Sequence, residues 1–184
     1  MILFVNGCAR KNSRTLELAS MVLAQEDGIP EEVHLYRNGP EPLDEQRLLL
    51  RDTLLQQRAY DHPMLQWAVQ FSQADTIVIA APYWDLLFPA VVRSYLEAIT
   101  VSGITFCYGD HGIPQGLCKA KKLIYVTTSG GPIVDNLGYE YVEKLAKTFY
   151  GIPDVRFVSA QGLDIWGNDP ESILQKAKED YCSR

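Results

Sequence analysis

The sequence predicts an α/β domain in which five parallel strands, ordered 2-1-3-4-5, carry helices on both faces. Short apolar, β-branched runs recur along the chain: "MILFVN", "EEVHLY", "DTIVIAAP", "KKLIYVTTSG" and "DVRFVSAQG". The central runs are nearly continuous in apolar residues, as strands covered on both faces require. A stretch with helical spacing follows each run, and this alternation implies right-handed crossovers and a doubly wound parallel sheet. A chain of 184 residues, 47% hydrophobic and 22% charged, suits one core, so residues 1–184 are expected to form a single domain.

The elements follow in order. "MILFV" enters a strand at once, and "SRTLELASMVLAQE" sets Leu16, Ala19 and Leu23 on one helical stripe. "EEVHLY" is the second strand. The segment "NGPEPLDEQRLLLRDTLLQQRAYD" then breaks the alternation; it is charged, helical in its middle, and reads as an excursion over the surface. "HPMLQWAVQFSQA" and "FPAVVRSYLEAIT" flank the third strand as helices, and "GITFCYGDHGIPQGL" centres on turn residues between β-prone flanks, as a small hairpin or extended loop would. After the fourth strand comes the helix "GYEYVEKLAKTFYG", and after the fifth "PESILQKAKEDY" closes the chain.

Composition excludes several classes of function. A formal net charge of −6 lacks the basic surface that a nucleic-acid backbone needs. No apolar run is long enough to cross a bilayer and no cleavage signal opens the chain, so a cytoplasmic protein with no membrane partner is expected. Cys8, Cys107, Cys118 and Cys182 form no Cys-x-x-Cys pair and read as reduced thiols; His34, His62 and His111 are isolated, and no metal site is expected.

In the order 2-1-3-4-5 a ligand sits at the carboxyl ends of strands one, three and four, where successive connections leave in opposite directions. The first of these loops is "NGCARKNSRT". Its backbone N–H groups, with Ser13, Arg14 and Thr15, suit a phosphate, although it is neither a P-loop nor a dinucleotide fingerprint; Ser13 or Thr15 serving only as a helix cap is the plain alternative. The second is "APYWDLLFP". Two aromatics and two leucines at a strand tip call for a cover, either a flat ligand or, for Tyr83 and Trp84, the 40–60 excursion or a partner subunit. The third, "TTSGGP", allows close backbone approach to a planar ring, and would otherwise be an ordinary Gly-Gly turn. Together the loops describe a phosphate turn, an apolar aromatic wall and a polar Gly-rich wall. FMN matches that layout, and a tight phosphate turn in a short chain disfavours FAD.

The stretch "IVIAAPYWDLLFPAVVRSYLEAITVSGITFCYGDHGIPQGLCKAKKLIYVTTSGGP" resembles the flavodoxin-like NAD(P)H-dependent FMN oxidoreductases, the quinone reductases and FMN-dependent NADH-azoreductases, some of which are called acyl carrier protein phosphodiesterases. The resemblance implies a flavodoxin-like fold and places Cys8, Ser13, Arg14 and Thr15 around the FMN phosphate, with Cys8 where relatives carry Ser or His. It implies that Pro82, Tyr83, Trp84, Asp85 and Leu86 line the isoalloxazine. Asp85 stands where Asn is usual, and its carboxylate is expected to turn outward or to cap the next helix. Thr128, Ser129, Gly130 and Gly131 would hold the pyrimidine edge, Ser129 standing where azoreductases carry Arg. The resemblance also implies a homodimer whose partner completes a substrate pocket of Trp84, Tyr108 and Phe149; both Tyr108 and Phe149 equally suit a core or surface role.

The function implied is hydride transfer from NADH or NADPH through FMN to a small aromatic acceptor, a quinone, azo dye or nitroaromatic. No catalytic side chain is needed, because the flavin carries the chemistry. A flavodoxin-like electron carrier without small-molecule reductase activity is the alternative. Hydrolysis is disfavoured, since neither Ser13 nor Ser129 has a histidine in its loop set.

Overall fold

The computed structural model describes residues 1–183. Strands β1 (Ile2–Asn6), β2 (Pro30–His34), β3 (Thr76–Ala80), β6 (Lys122–Thr128) and β7 (Asp154–Ala160) form one sheet, and β4 (Phe106–Tyr108) and β5 (Pro114–Gly116) form a separate two-stranded one. The large sheet runs β2-β1-β3-β6-β7, all neighbours parallel, which is the expected order 2-1-3-4-5 for its five strands.

Alternate residues of each strand feed two cores. Leu3 and Val5 of β1 join Ile77 and Ile79 of β3 on the face covered by α4 (Gln66–Gln73), α5 (Ala90–Ile99) and α6 (Leu137–Leu145), where Phe71, Tyr95 and Val142 are buried. Ile2 and Phe4, with Val78 and Ile124, face α1 (Arg14–Leu23) and α7 (Pro170–Cys182), which bury Leu18, Val22, Leu174 and Tyr181. Period-two alternation in a sheet covered on both sides is what makes the strand sequences continuously apolar.

Two elements differ from the sequence reading. The second strand, expected over 31–36, ends at His34, and Leu35–Asn38 turn into a single helical turn, α2. β2 lies at the sheet edge, and its only neighbour ends at Asn6, paired with His34; beyond that point an extended chain has nothing to bond. The helix expected over 138–151 finishes as a π-helical turn, Ala146–Tyr150, closed by Gly151 at φ 72°.

The excursion carries helix α3 (Glu45–Gln57), which buries only Leu54 and packs it with Leu55 on Leu65, Ala68 and Val101. The post-helix segment is the antiparallel hairpin β4–β5, seated on the π turn: a Cβ on Gly116 would lie 2.2 Å from the Tyr150 carbonyl carbon. Among the described residues no helix is long and apolar enough to cross a membrane.

Candidate functional site

The turn after β1 is built from its glycine outward. Gly7 donates its N–H to the Ala80 carbonyl of β3 at 2.8 Å, and a Cβ there would lie 2.7 Å from Val92 Cγ2 and 3.0 Å from that same oxygen. Only glycine lets the turn lie against β3 and α5 this closely. Cys8 follows, its N–H on Asn6 Oδ1 at 2.9 Å and its side chain 1% exposed, so burial pushes its thiol up. The chain then crosses the rim to Ser13, whose hydroxyl accepts from Leu16 N and caps α1. The helix-cap reading is therefore correct for Ser13, but it satisfies only one of the orphan donors of α1. The N–H groups of Arg14 and Thr15 find no partner among the described residues, and they open at the positive end of the helix.

The side chains of this turn bind it to the rest of the rim. Thr15 Oγ1 and Thr128 Oγ1 lie 2.6 Å apart, both buried, tying α1 to the end of β6. Arg14 donates to the Leu163 carbonyl at 2.8 Å and to Asp164 Oδ1 at 2.6 Å. A guanidinium has five N–H donors, so these two bonds leave others for an anion.

The second loop continues the sheet before it turns. Tyr83 donates its N–H to the Thr128 carbonyl at 3.1 Å and its hydroxyl to the Asp135 carbonyl at 3.0 Å. Trp84 and Leu87 then exchange both backbone bonds, at 3.0 and 2.9 Å, and Asp85 and Leu86 between them have φ of 51° and 68°. This is a type I′ hairpin turn, whose two central residues require the left-handed region. An aspartate tolerates that region, whereas a leucine adopts it at a cost of roughly 1–2 kcal/mol. The Asp85 side chain is exposed and makes no cap to α5, whose first turn starts from Pro89 without a side-chain bond; of the two expected orientations, outward is the one found. The N–H groups of Asp85 and Leu86 have no partner among the described residues. Trp84 and Leu86 are 42% and 45% exposed, and the excursion packs elsewhere, so it does not cover them.

The third loop is held by a fourth that sequence reasoning missed. Ser129 donates its N–H to the Ala160 carbonyl and its hydroxyl to the Gly131 carbonyl, at 3.0 and 2.6 Å. The segment after β7 returns three bonds, Gly162 N–H to the Gly131 carbonyl, Leu163 N–H to the Ser129 carbonyl and Asp164 N–H to the Gly130 carbonyl. The Asp164 carboxylate lies where a Gly130 Cβ would be, 2.3 Å from it, while Gly131 faces open space. The switch-point rule concerns the loops after strands one, three and four; the pairing of β6 with β7 carries the loop after β7 into the same rim as its fourth.

The three loops do meet. A cleft of about 290 Å³ is lined by Ser13, Arg14 and Thr15, by Pro82, Tyr83 and Trp84, and by Thr128, Ser129 and Gly130. Arg10, Asn12, Leu163 and Asp164 also line it. Cys8, Asp85, Leu86 and Gly131 do not reach its wall: Cys8 lies buried under the turn, and the other three stand at the rim. Tyr108 and Phe149 lie outside it, on either side of Phe106, with ring centroids 5.3 and 5.0 Å from that ring; Tyr108 is 60% exposed. No group of three or more metal-ligating side chains exists among the described residues.

A cleft with free helix N-terminal donors at one end and half-exposed rings at the other fits a phosphate carried on a flat apolar group. The sequence of residues 1–184 matches the family model described as the flavodoxin-like fold. The chain belongs to the flavodoxin-like family. It is 39% identical over 154 residues to FMN-dependent NADH:quinone oxidoreductase 2 of Clostridium acetobutylicum, a match covering 79% of this chain and 76% of that protein. It is 41% identical over 126 residues to the FMN-dependent NADH:quinone oxidoreductase of Coprothermobacter proteolyticus, covering 65% of this chain and 62% of that one. Matches to several further relatives likewise span about three fifths of their length. Among solved structures, an azoreductase from Bacillus anthracis strain Sterne superposes with a TM-score of 0.80 at 22% identity, covering 99% of this chain and 96% of that one. An FMN-dependent NADH-azoreductase of the same species, in complex with FMN, gives 0.77 at 21% identity over 97% and 94%. At these identities the structural matches establish the family's fold.

Proposed function

We propose that this flavodoxin-like protein, as one domain over residues 1–184, is an FMN-dependent oxidoreductase that takes electrons from NADH or NADPH and passes them to a quinone, azo or nitroaromatic acceptor. The observation that carries the reading is the single cleft in which unbonded N–H groups of Arg14 and Thr15 face one end and Trp84 the other. The relatives named above, FMN-dependent NADH:quinone oxidoreductases, support the same cofactor and chemistry.

FMN, when bound, supplies hydride acceptance and donation. The chain supplies position and electrostatics. Arg14 and the α1 N-terminus hold the phosphate, with the Arg14–Asp164 pair keeping the guanidinium aimed. Trp84 and Leu86 exclude water from one face of the ring, and the free N–H groups of Asp85 and Leu86 are placed to donate to its edge. Gly130 lies along the opposite wall with Gly131 at its rim, and Ser129 locks the loop through its own bond to Gly131.

The substrate side is incomplete in one protomer. Trp84 stands open while Tyr108 of the far hairpin and Phe149 of the π turn beneath it gather around Phe106, so a homodimer in which each hairpin caps the partner's cleft accounts for the exposure of Trp84 and Tyr108. The four cysteines are unpaired thiols, which suits work in the cytoplasm.

The test is the visible spectrum after incubation with FMN and removal of unbound flavin, followed by anaerobic NADH. A retained yellow chromophore that bleaches, with steady NADH consumption when a small quinone is added, is expected. No retained flavin overturns the reading; flavin retained but not reduced by NADH turns it to an electron carrier.

A further inference from the structure

A second cavity, of about 480 Å³, lies beside the first on the β2 side of the phosphate turn. Arg10 and Lys11 from that turn and Arg37 from α2 converge on it, with Tyr36 and Glu32 among its walls. Ala9 and Arg10 line both cavities, so the two meet across the turn.

The charge distribution is unusual for this chain. Acidic residues outnumber basic ones, 23 to 17, yet three cations face one cavity, and none of the three forms an ion pair among the described residues. The Asp44, Glu41 and Asp75 carboxylates are engaged by other cations. Three cations without ion pairs, offset only by the Glu32 carboxylate on the same wall, leave this concavity net positive, a potential that a polyanionic group relieves. The remaining walls suit the rest of a nucleotide. Tyr36 is 42% exposed, a ring on which a base can stack. Glu32, already held by the Asn6 amide at 2.7 Å, presents a fixed acceptor of the kind that ribose hydroxyls bond.

We propose that this cavity binds a nucleoside phosphate, its phosphate among Arg10, Lys11 and Arg37, its ribose against Glu32 and its base on Tyr36. The site adjoins the flavin cleft, sharing Ala9 and Arg10 with it, and needs no flavin for its own contacts. Two sources share the chemistry: the adenosine phosphate end of the reducing dinucleotide, and a free nucleotide.

The experiment is a calorimetric titration of the full chain with AMP, with FMN bound and again without it, and with adenosine as the control that lacks phosphate. One AMP per chain is expected in both forms, with adenosine weaker by at least about tenfold, the worth of a charge-assisted phosphate contact. Arg37→Ala and Lys11→Ala should each weaken AMP by a similar factor and leave FMN retention unchanged. If NADH displaces AMP from the FMN-loaded protein, the site takes the adenosine end of the reductant; if AMP stays bound, it takes a free nucleotide, and either result upholds the proposal. Absent heat, displacement of AMP by FMN, or AMP binding indifferent to Arg37→Ala overturns it. Because the flavin-free chain is titrated too, a protein that fails to hold FMN fails the oxidoreductase reading without touching this one.

Discussion

At the phosphate end of the cleft the side chains bond one another, Thr15 to Thr128, Arg14 to Leu163 and Asp164, Ser13 to its own helix, while at the ring end Trp84 and Leu86 stand nearly half exposed on a turn held in the left-handed region. The phosphate end is organised before any ligand arrives. Its donors are backbone groups fixed by a helix, so little ordering is left for binding to pay for. The ring end stores backbone strain at Leu86 and exposes apolar surface, and the exposure is relieved only by something that covers it. Under the proposed function, this difference would give orientation and affinity to one end and adaptability toward acceptors to the other.

The largest effect expected is at the phosphate end. Gly7→Ala drives a methyl into Val92 and the Ala80 carbonyl, neither of which has room to yield, and should destabilise the fold by about 1–3 kcal/mol, the usual range for overpacking. Thermal unfolding checks this, and retained flavin should fall with it. Cys8 reports the same event: burial keeps its thiol protonated and shielded, so iodoacetamide should label exposed Cys182 and spare Cys8 in the parent protein, then reach Cys8 in the variant. Rapid labelling of Cys8 in the parent would show that this end is not closed.

Next comes the hydroxyl pair. Thr15→Val leaves Thr128 Oγ1 buried without its partner, at about 1–3 kcal/mol, and Thr128→Val does the converse. Removing both should cost less than the sum of the singles, because no unpaired hydroxyl remains. Additive losses in urea unfolding would mean that the pair does not join α1 to β6.

At the ring end the sign reverses. Leu86→Gly gives the type I′ turn the Asp-Gly pair it prefers, and should raise stability by about 1 kcal/mol as the left-handed strain is released. The same change removes the apolar cover over the ring position, so FMN should bind more weakly. A variant that loses stability as well as flavin would show that Leu86 holds the turn rather than being strained by it.

These two ends were unequally legible in the sequence. The order of strands and the convergence of three loops follow from hydrophobic runs and from the handedness of crossovers, which are properties of every residue in a run. Ser13 as a cap was legible because capping is local chemistry. The positive φ of Leu86 was not, since nothing in "WDLLFP" marks leucine for the left-handed region; it follows from the two-residue turn closed by the reciprocal Trp84–Leu87 bonds, next to Tyr83 paired with Thr128 of β6. Asp164 was missed because, although the strand order already sets β7 beside β6, the switch-point rule concerns only the loops after strands one, three and four, and nothing in "QGLDIWGNDP" marks the backbone bonds that fold it back onto Ser129 and Gly130. The early end of β2 was likewise set by its neighbour's length and not by its own propensity.

The smallest effect on stability, and the sharpest test of how the ring end works, is Asp85→Asn. Asparagine adopts the left-handed region as readily as aspartate, and the Asp85 side chain is exposed with no bond to lose, so unfolding should be unchanged within about 0.5 kcal/mol. Any effect must then come from charge. A carboxylate at the tip of this turn opposes negative charge developing on a flavin as it is reduced, though water screens the interaction to about 1 kcal/mol or less at an exposed position. The reduction potential of the bound FMN should therefore rise modestly in Asp85→Asn, and the rise should shrink with added salt. A potential that stays fixed would mean that the ring does not lie against this turn, which would detach the ring end from the cleft and leave the phosphate end as the only binding surface the loops build.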